Sequence, residues 1–186
     1  QRQMCIRDRA TESEEKKKGL ADWATRIGED AAEKIVSESA ARGTAMHKIL
    51  EKYILEEGYL DLTNVGREAH NMALQVIQKG LCNISEYYGT ECTLYYPGLY
   101  AGSADLIATW GTGTVKESLH KLSIIDFKQT NKPKQRSWIG DYFLQSAAYA
   151  MAHDAVYGTN IEQGVILMCS RDGFFQHFVI EGEEFR

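Results

Sequence analysis

Between Leu20 and Glu57 apolar residues recur every three to four positions, the spacing that lines one face of a helix. Its second half, Thr44 to Glu56, places Met46, Ile49, Leu50, Tyr53 and Ile54 on one stripe. Gly28 and Gly43 are the expected breaks or close-contact points, and Gly58 the expected stop. Ahead of this stretch, Thr11 to Lys18 sets its acids before its lysines, which suits a solvated helix start or a frayed end. Asn64 to Leu81 repeats the helical pattern through Ala69, Met72, Ala73, Val76 and Ile77, with Gly80 near its end. The texture then changes. Glu91 to Tyr96, Tyr100 to Trp110 and Leu122 to Gln129 are rich in Tyr, Thr, Ile and Val and predict strands. Pro97-Gly98 is a turn between the first two, and Gly111 to Lys121 a polar loop between the second and third. Trp138 to Tyr157 returns to an apolar, alanine-rich helix that Gly158 ends. Gln163 to Ser170 and Phe174 to Ile180 predict two more strands, joined at Arg171-Asp172-Gly173, where Asp-Gly signals a hairpin.

This order predicts one α/β domain with a mixed sheet packed against helices, and 186 residues suffice for one such core. No apolar run is long enough to cross a bilayer. The opening stretch, Gln1 to Arg9, fits no structural pattern and resembles a translated sequencing-adapter peptide of the kind found in assembled environmental DNA. Residues 1–10 are therefore expected to be an adapter-derived or disordered tail. Residues 11–186 are expected to form a single domain truncated at both ends, from a metagenomic source.

The net charge of −5 weighs against a broad, non-specific nucleic-acid-binding face. It leaves room for an acidic metal site with a basic rim. The cysteines, Cys5, Cys82, Cys92 and Cys169, form no CxxC pair and suit reduced thiols in a cytosolic protein. Their spacing does not indicate zinc.

Three ionisable residues on predicted strands carry the candidate chemistry. Asp105 lies in GSADLIATW; Asp126 and Lys128 lie in LSIIDFKQT. Alternation puts Ile124, Asp126 and Lys128 on one face of the strand and Ile125 and Phe127 on the other. Charges inside an apolar strand cost stability unless they are paired or bind something. If the two strands form a hairpin, Asp105 and Asp126 sit side by side and favour a divalent cation between them, with magnesium or manganese selected by the oxygen ligands. Such an ion polarises a phosphate and activates a bound water. Lys128 would orient or deprotonate that water, or neutralise charge, and the Phe127 carbonyl could be a further ligand. An Asp-x-Lys strand is also what a plain ion pair on a solvent face produces, so further residues matter. Gln145 and Tyr149 lie one helical turn apart and share a face, which suggests contact with a site; a satisfied buried Gln and a core-edge Tyr are the alternative. Lys132, Lys134 and Arg136 with Trp138 form the local positive cluster, able to hold a DNA backbone and stack a base, or simply to be a solvated loop.

Taken in order, the runs Trp23 through Gly28-Glu29, Arg42-Gly43-Thr44 with His47 and Leu50-Glu51, Gly102 to Asp105, Ile125 to Lys128, Lys132 to Lys134, and Gln145 with Tyr149 resemble the RecB-like branch of the PD-(D/E)XK nucleases. Within that branch they resemble the mitochondrial genome maintenance exonucleases and their phage-encoded relatives. The resemblance implies the restriction-endonuclease-like αβββαβ core, a mixed central sheet flanked by helices. It implies that Asp105 and Asp126 bind Mg2+ or Mn2+ with help from His47, that Lys128 acts on the attacking water, and that Gln145 and Tyr149 brace the site. No iron–sulfur cluster is expected, since the close cysteine group that some relatives carry near the C-terminus is lacking. The implied partner is DNA, single-stranded or with free ends, and not a membrane. The implied setting is recombination, repair or genome maintenance in the cytoplasm, that of a host cell if the chain is phage-encoded. An endonuclease of the same superfamily and a non-catalytic nucleic-acid-binding module on the same fold are the competing expectations.

Overall fold

The structure is a computed structural model that describes residues 4–5, 14–112 and 120–185. Helix α1 (Glu14–Ile27) ends at Gly28, whose φ of 92° no L side chain adopts comfortably. Helix α2 (Glu29–Ile54) then runs without interruption, so Gly43 is not a break. It is a close-contact point: a Cβ there would come 3.3 Å from Cγ of Gln129. The helix also stops short of Gly58, at a C-cap on Leu55. Helix α3 (Asn64–Lys79) starts at an N-cap, Thr63, whose side chain accepts from the Gly66 N–H at 3.0 Å. It is followed by a 3-10 turn at Leu81–Asn83.

The strands are β1 (Ile84–Tyr96), β2 (Tyr100–Trp110), β3 (Lys121–Thr130), β4 (Gln163–Ser170) and β5 (Phe175–Glu181), with α4 (Gly140–Tyr157) between β3 and β4. β1 begins at Ile84 rather than Glu91. Residues 85–88 are all exposed and show no apolar alternation, so this part is held by pairing to β2 and not by a buried face. The turn at Pro97-Gly98 and the hairpin at Arg171-Asp172-Gly173 are as expected, with φ of 76° at Gly98 and 83° at Gly173. Residues 113–119 of the predicted polar loop lie outside the described residues. So does the opening tail apart from Met4–Cys5, which pairs in parallel with Tyr100 and Ala101.

The five main strands lie in the order β1-β2-β3-β4-β5, with β3 and β4 parallel and the other neighbours antiparallel. Helices cover the sheet through two apolar clusters. In one, Met46 and Leu50 of α2 and Met72 and Val76 of α3 pack with Leu106, Trp110, Ile125, Phe127 and Leu167. In the other, Phe143, Tyr149 and Ala150 of α4 pack with Ile107, Ile124, Ile166 and Met168. This is the mixed sheet flanked by helices that the resemblance implied. No helix among the described residues is long and apolar enough to cross a membrane.

One irregularity positions everything that follows. β1 and β2 stay paired as far as Tyr96 and Tyr100, and β3 and β4 as far as Thr130 and Ser170. The β2–β3 ladder, by contrast, runs from Trp110–Lys121 only to Leu106–Ile125. Beyond that pair the two strands separate, and the first residues past the split are Asp105 on β2 and Asp126 on β3.

Candidate metal centre at a strand fork

Where a ladder opens, backbone groups lose their partners and must find others. At this fork Phe127 is the residue affected, and its two backbone groups are taken by side chains. Its N–H donates to Asp105 Oδ2 at 2.7 Å. Its carbonyl lies 2.8 Å from His47 Nε2 on α2. A carbonyl only accepts, so His47 carries a proton on Nε2 and donates, which leaves Nδ1 as the ring atom turned away from that bond. That atom faces the fork, 3.6 Å from Asp105 Oδ1.

A third group joins them. One ligand atom each from His47, Glu91 and Asp105 lies within 4.8 Å of the others. Glu91 sits on β1 between the pairs Thr90–Leu106 and Cys92–Ala104, hence across the hairpin from Asp105. Its φ of 49° is left-handed, a conformation that costs a non-glycine residue about 1–3 kcal/mol and that collects at functional sites. Its Oε2 accepts from the Ser103 hydroxyl at 3.3 Å.

On the other side of the fork Asp126 is 3% exposed. Its Oδ2 forms an ion pair with the Lys128 ammonium but has no hydrogen bond of good geometry. Burial, and then the neighbouring Asp126 charge, push the Asp105 carboxyl up from 3.8 to about 6; His47, Lys128 and the Phe127 N–H offset part of this. For Lys128 burial favours the neutral amine, yet Asp126 and Asp105 together outweigh it and hold the group as an ammonium. That ammonium also lies 5.0 Å from the centre of the Tyr142 ring. The structure thus brings ligand atoms of His47, Glu91 and Asp105 together on one side of the fork and pairs Asp126 with Lys128 on the other. The donors are carboxylate oxygens and one imidazole nitrogen, a set that fits a hard divalent cation such as magnesium or manganese. The Phe127 carbonyl, expected as a ligand, is the acceptor for His47; its second lone pair remains.

Gln145 and Tyr149 meet one another, the Gln145 amide lying 3.2 Å from the Tyr149 hydroxyl. Tyr149 is 4% exposed and closes over β2 at Gly102, where any Cβ would fall 2.8 Å from its ring. Its phenol is pushed up by burial and then by Asp126 and Asp105, so the hydroxyl senses the fork.

The basic segment divides. Lys132 is exposed, and Trp138 is 57% exposed. Lys134 is half-buried, its backbone doubly bonded to the Gln176 side chain at 2.8 and 2.9 Å. Arg136 donates to the Val179 carbonyl and Glu184, and lies 4.7 Å from the Phe143 ring centre. Its guanidinium fastens the segment to β5 while staying exposed. Sequence reasoning missed Glu91, because a glutamate in a Tyr- and Thr-rich strand reads as an ordinary outward residue. The only available signal was its place in the hairpin opposite Asp105.

No protein-family model matches the sequence, and neither does any curated protein. Among solved structures, a presumed exonuclease from Eubacterium rectale superposes with a TM-score of 0.51 at 10% identity. The match covers 80% of this chain and 60% of that one, so the chain spans less than two thirds of that structure. An alkaline exonuclease from Laribacter hongkongensis matches with a TM-score of 0.36 at 15% identity, covering 74% of this chain and 68% of that one. At 10% identity the likeness to the Eubacterium rectale structure is one of fold alone.

Proposed function

We propose that this chain is a metal-dependent nuclease that hydrolyses DNA phosphodiester bonds, working from ends on single strands in recombination, repair or genome maintenance. The observation that carries the proposal is the fork, where Asp105 and Asp126 leave their ladder together with Lys128 and His47 beside them. The fold likeness to the Eubacterium rectale protein, and that protein's name, support the choice of an exonuclease.

Asp105, Asp126, His47 and Glu91, with the free lone pair of the Phe127 carbonyl, would hold Mg2+ or Mn2+. Such an ion, when bound, supplies positive charge at the scissile phosphate and makes a water more acidic. Lys128, kept as an ammonium by the two aspartates, donates to the attacking water or a phosphoryl oxygen and offsets the growing charge. Acting as a base would require losing a proton that both aspartates help to retain. Gln145 and Tyr149 brace the α4 side of the opening, while Lys132, Lys134 and Trp138 hold the backbone and stack a base.

The test is Mg2+-dependent degradation of linear and of closed circular single-stranded DNA by the parent, Asp126→Ala and Lys128→Ala. Cleavage of the linear strand only is expected. Asp126→Ala should fall to background, and Lys128→Ala by about 10²–10³-fold, the effect of losing one transition-state donor. Cutting of the circle would replace the exonuclease with an endonuclease. DNA binding without cleavage by the parent would leave a binding module. Equal activity in all three proteins would remove the assignment.

A further inference from the structure

His47 works only if α2 lies at one particular height along β3, and the structure contains a device that sets this height. Three alternate positions of β3 and its extension meet α2: the Phe127 carbonyl, the Gln129 amide and the Asn131 amide. On the helix side the partners are His47, Arg42 and Ser39; Ser39 and Arg42 are three residues apart on one face, and His47 follows a little over one turn beyond Arg42. Arg42 is the centre of this seam and is 3% exposed. Its Nε donates to Gln129 Oε1 at 3.2 Å, its Nη2 to Asn131 Oδ1 at 2.6 Å and its Nη1 to Glu68 Oε2 at 3.1 Å. Gln129 is fixed in turn by donating to the Ser39 carbonyl and hydroxyl at 3.0 and 2.7 Å. Gly43, next to Arg42, has no side chain to push the helix off Gln129.

As a stability device this is a poor choice. A buried guanidinium carries a desolvation cost of several kcal/mol. Two of its three partners are neutral amides, and its one carboxylate, Glu68, is shared with Arg171, which donates to the other oxygen at 2.7 Å. An aliphatic side chain on α2 would pack there without that cost. A planar fork whose donors point at fixed angles does something an aliphatic residue cannot: it locks the helix to the strand in one register.

We propose that Arg42 is a positioning residue, which sets α2 against β3 so that His47 Nε2 meets the Phe127 carbonyl and Nδ1 faces Asp105. The proposal rests on the metal-centre reading given above. It deepens that reading by assigning the imidazole's aim to a residue that touches neither substrate nor ion. Side chains that orient a metal-binding histidine from behind typically change metal affinity by 10–100-fold; here the orienting bond is to a backbone carbonyl, and Arg42 controls whether that carbonyl is in reach.

The experiment reads His47 itself in the metal-free protein. Nitrogen-15 NMR at slightly alkaline pH is expected to show the Nε2–H tautomer in the parent. In Arg42→Met it should show a mixture of tautomers, with Mn2+ affinity weakened about 10- to 100-fold. Glu68→Gln, which leaves Arg42 an acceptor, is expected to lower stability while keeping the parent His47 signature; that separates positioning from general stabilisation. Gln129→Leu removes the Nε partner and should shift the tautomers in the same direction by less. It decides the matter if Arg42→Met does not fold. A folded Arg42→Met, or failing that Gln129→Leu, with the parent tautomer and the parent Mn2+ affinity would overturn the proposal. Because the tautomer is read without metal, a parent that neither binds Mn2+ nor cuts DNA would defeat the functional reading while His47 still reported on Arg42.

Discussion

β3 and β4 are neighbouring parallel strands in the middle of one sheet, and they treat charge in opposite ways. In register, Asp126 lies beside Ile166 and Lys128 beside Met168. All eight residues of β4 are buried and none is charged. That is the usual composition of a strand flanked by ladders and covered on both faces. β4 has a partner on each side from Gln163 to Cys169, β3 and then β5. β3 loses its antiparallel partner after Ile125; apart from Lys121 at its solvent-facing start, its charged residues, Asp126 and Lys128, lie beyond that point. The difference shows that a sheet can carry ionised groups at its centre where one ladder opens, because the opening supplies donors, counter-charges and room for a cation. A closed ladder supplies none of these.

The comparison breaks most directly by moving the charge across. Ile166→Asp puts a carboxylate on β4 beside Asp126, with no open ladder of its own. An uncompensated buried charge of this sort costs about 3–5 kcal/mol, read as a lower denaturation midpoint in urea. If Ile166→Asp is as stable as the parent at neutral pH, the fork is not what makes charge tolerable in this sheet.

The same contrast predicts how the metal-free protein responds to pH. Asp105 has a folded-state value of about 6 against an ordinary 3.8, so between those values the folded chain binds more protons than the unfolded one. Stability from this group is complete below the lower value and is lost as pH rises through the upper one. At 1.36 kcal/mol per pH unit the window corresponds to about 3 kcal/mol. Other carboxylates shift the opposite way; Glu68, for instance, is lowered by the Arg171 hydrogen bond. The quantity to follow is therefore the stability of the parent relative to Asp105→Asn, with chelator present. It should fall between pH 4 and pH 7, and a flat difference would mean that Asp105 is not burdened by burial and by Asp126.

These two tests also mark what could be read from the sequence. Asp126 and Lys128 were legible because they interrupt an apolar run at strand period. The β4 run and the helical stripes were legible because burial on a regular element leaves a regular pattern. The fork was not, since strand separation depends on where β1 carries β2, and no local composition encodes that. Glu91 was hidden with it, its aim being set by a left-handed backbone angle and the hairpin register. Arg42 was legible only as part of a run that resembles a family. Nothing in its neighbours announces that a guanidinium will be buried between two amides contributed by residues 129 and 131.

The smallest expected effect tests the rim above the fork, where two residues of one basic segment behave differently. Trp138 is held out into solvent, while Arg136 is tied to Val179 and Glu184 and lies on Phe143. If the segment guides a strand toward the carboxylates, only the free aromatic face can stack on a base, a contact of about 1–3 kcal/mol. Trp138→Ala should weaken binding of a short single-stranded oligonucleotide by about that amount without changing protein stability. Arg136→Ala should do the reverse, lowering the melting temperature slightly while leaving affinity within twofold or so. The assay is fluorescence anisotropy with calcium in place of magnesium, to allow binding without turnover. Equal losses of affinity in the two variants would mean that Arg136 leaves its intramolecular partners for a phosphate, and that the rim reorganises when DNA arrives.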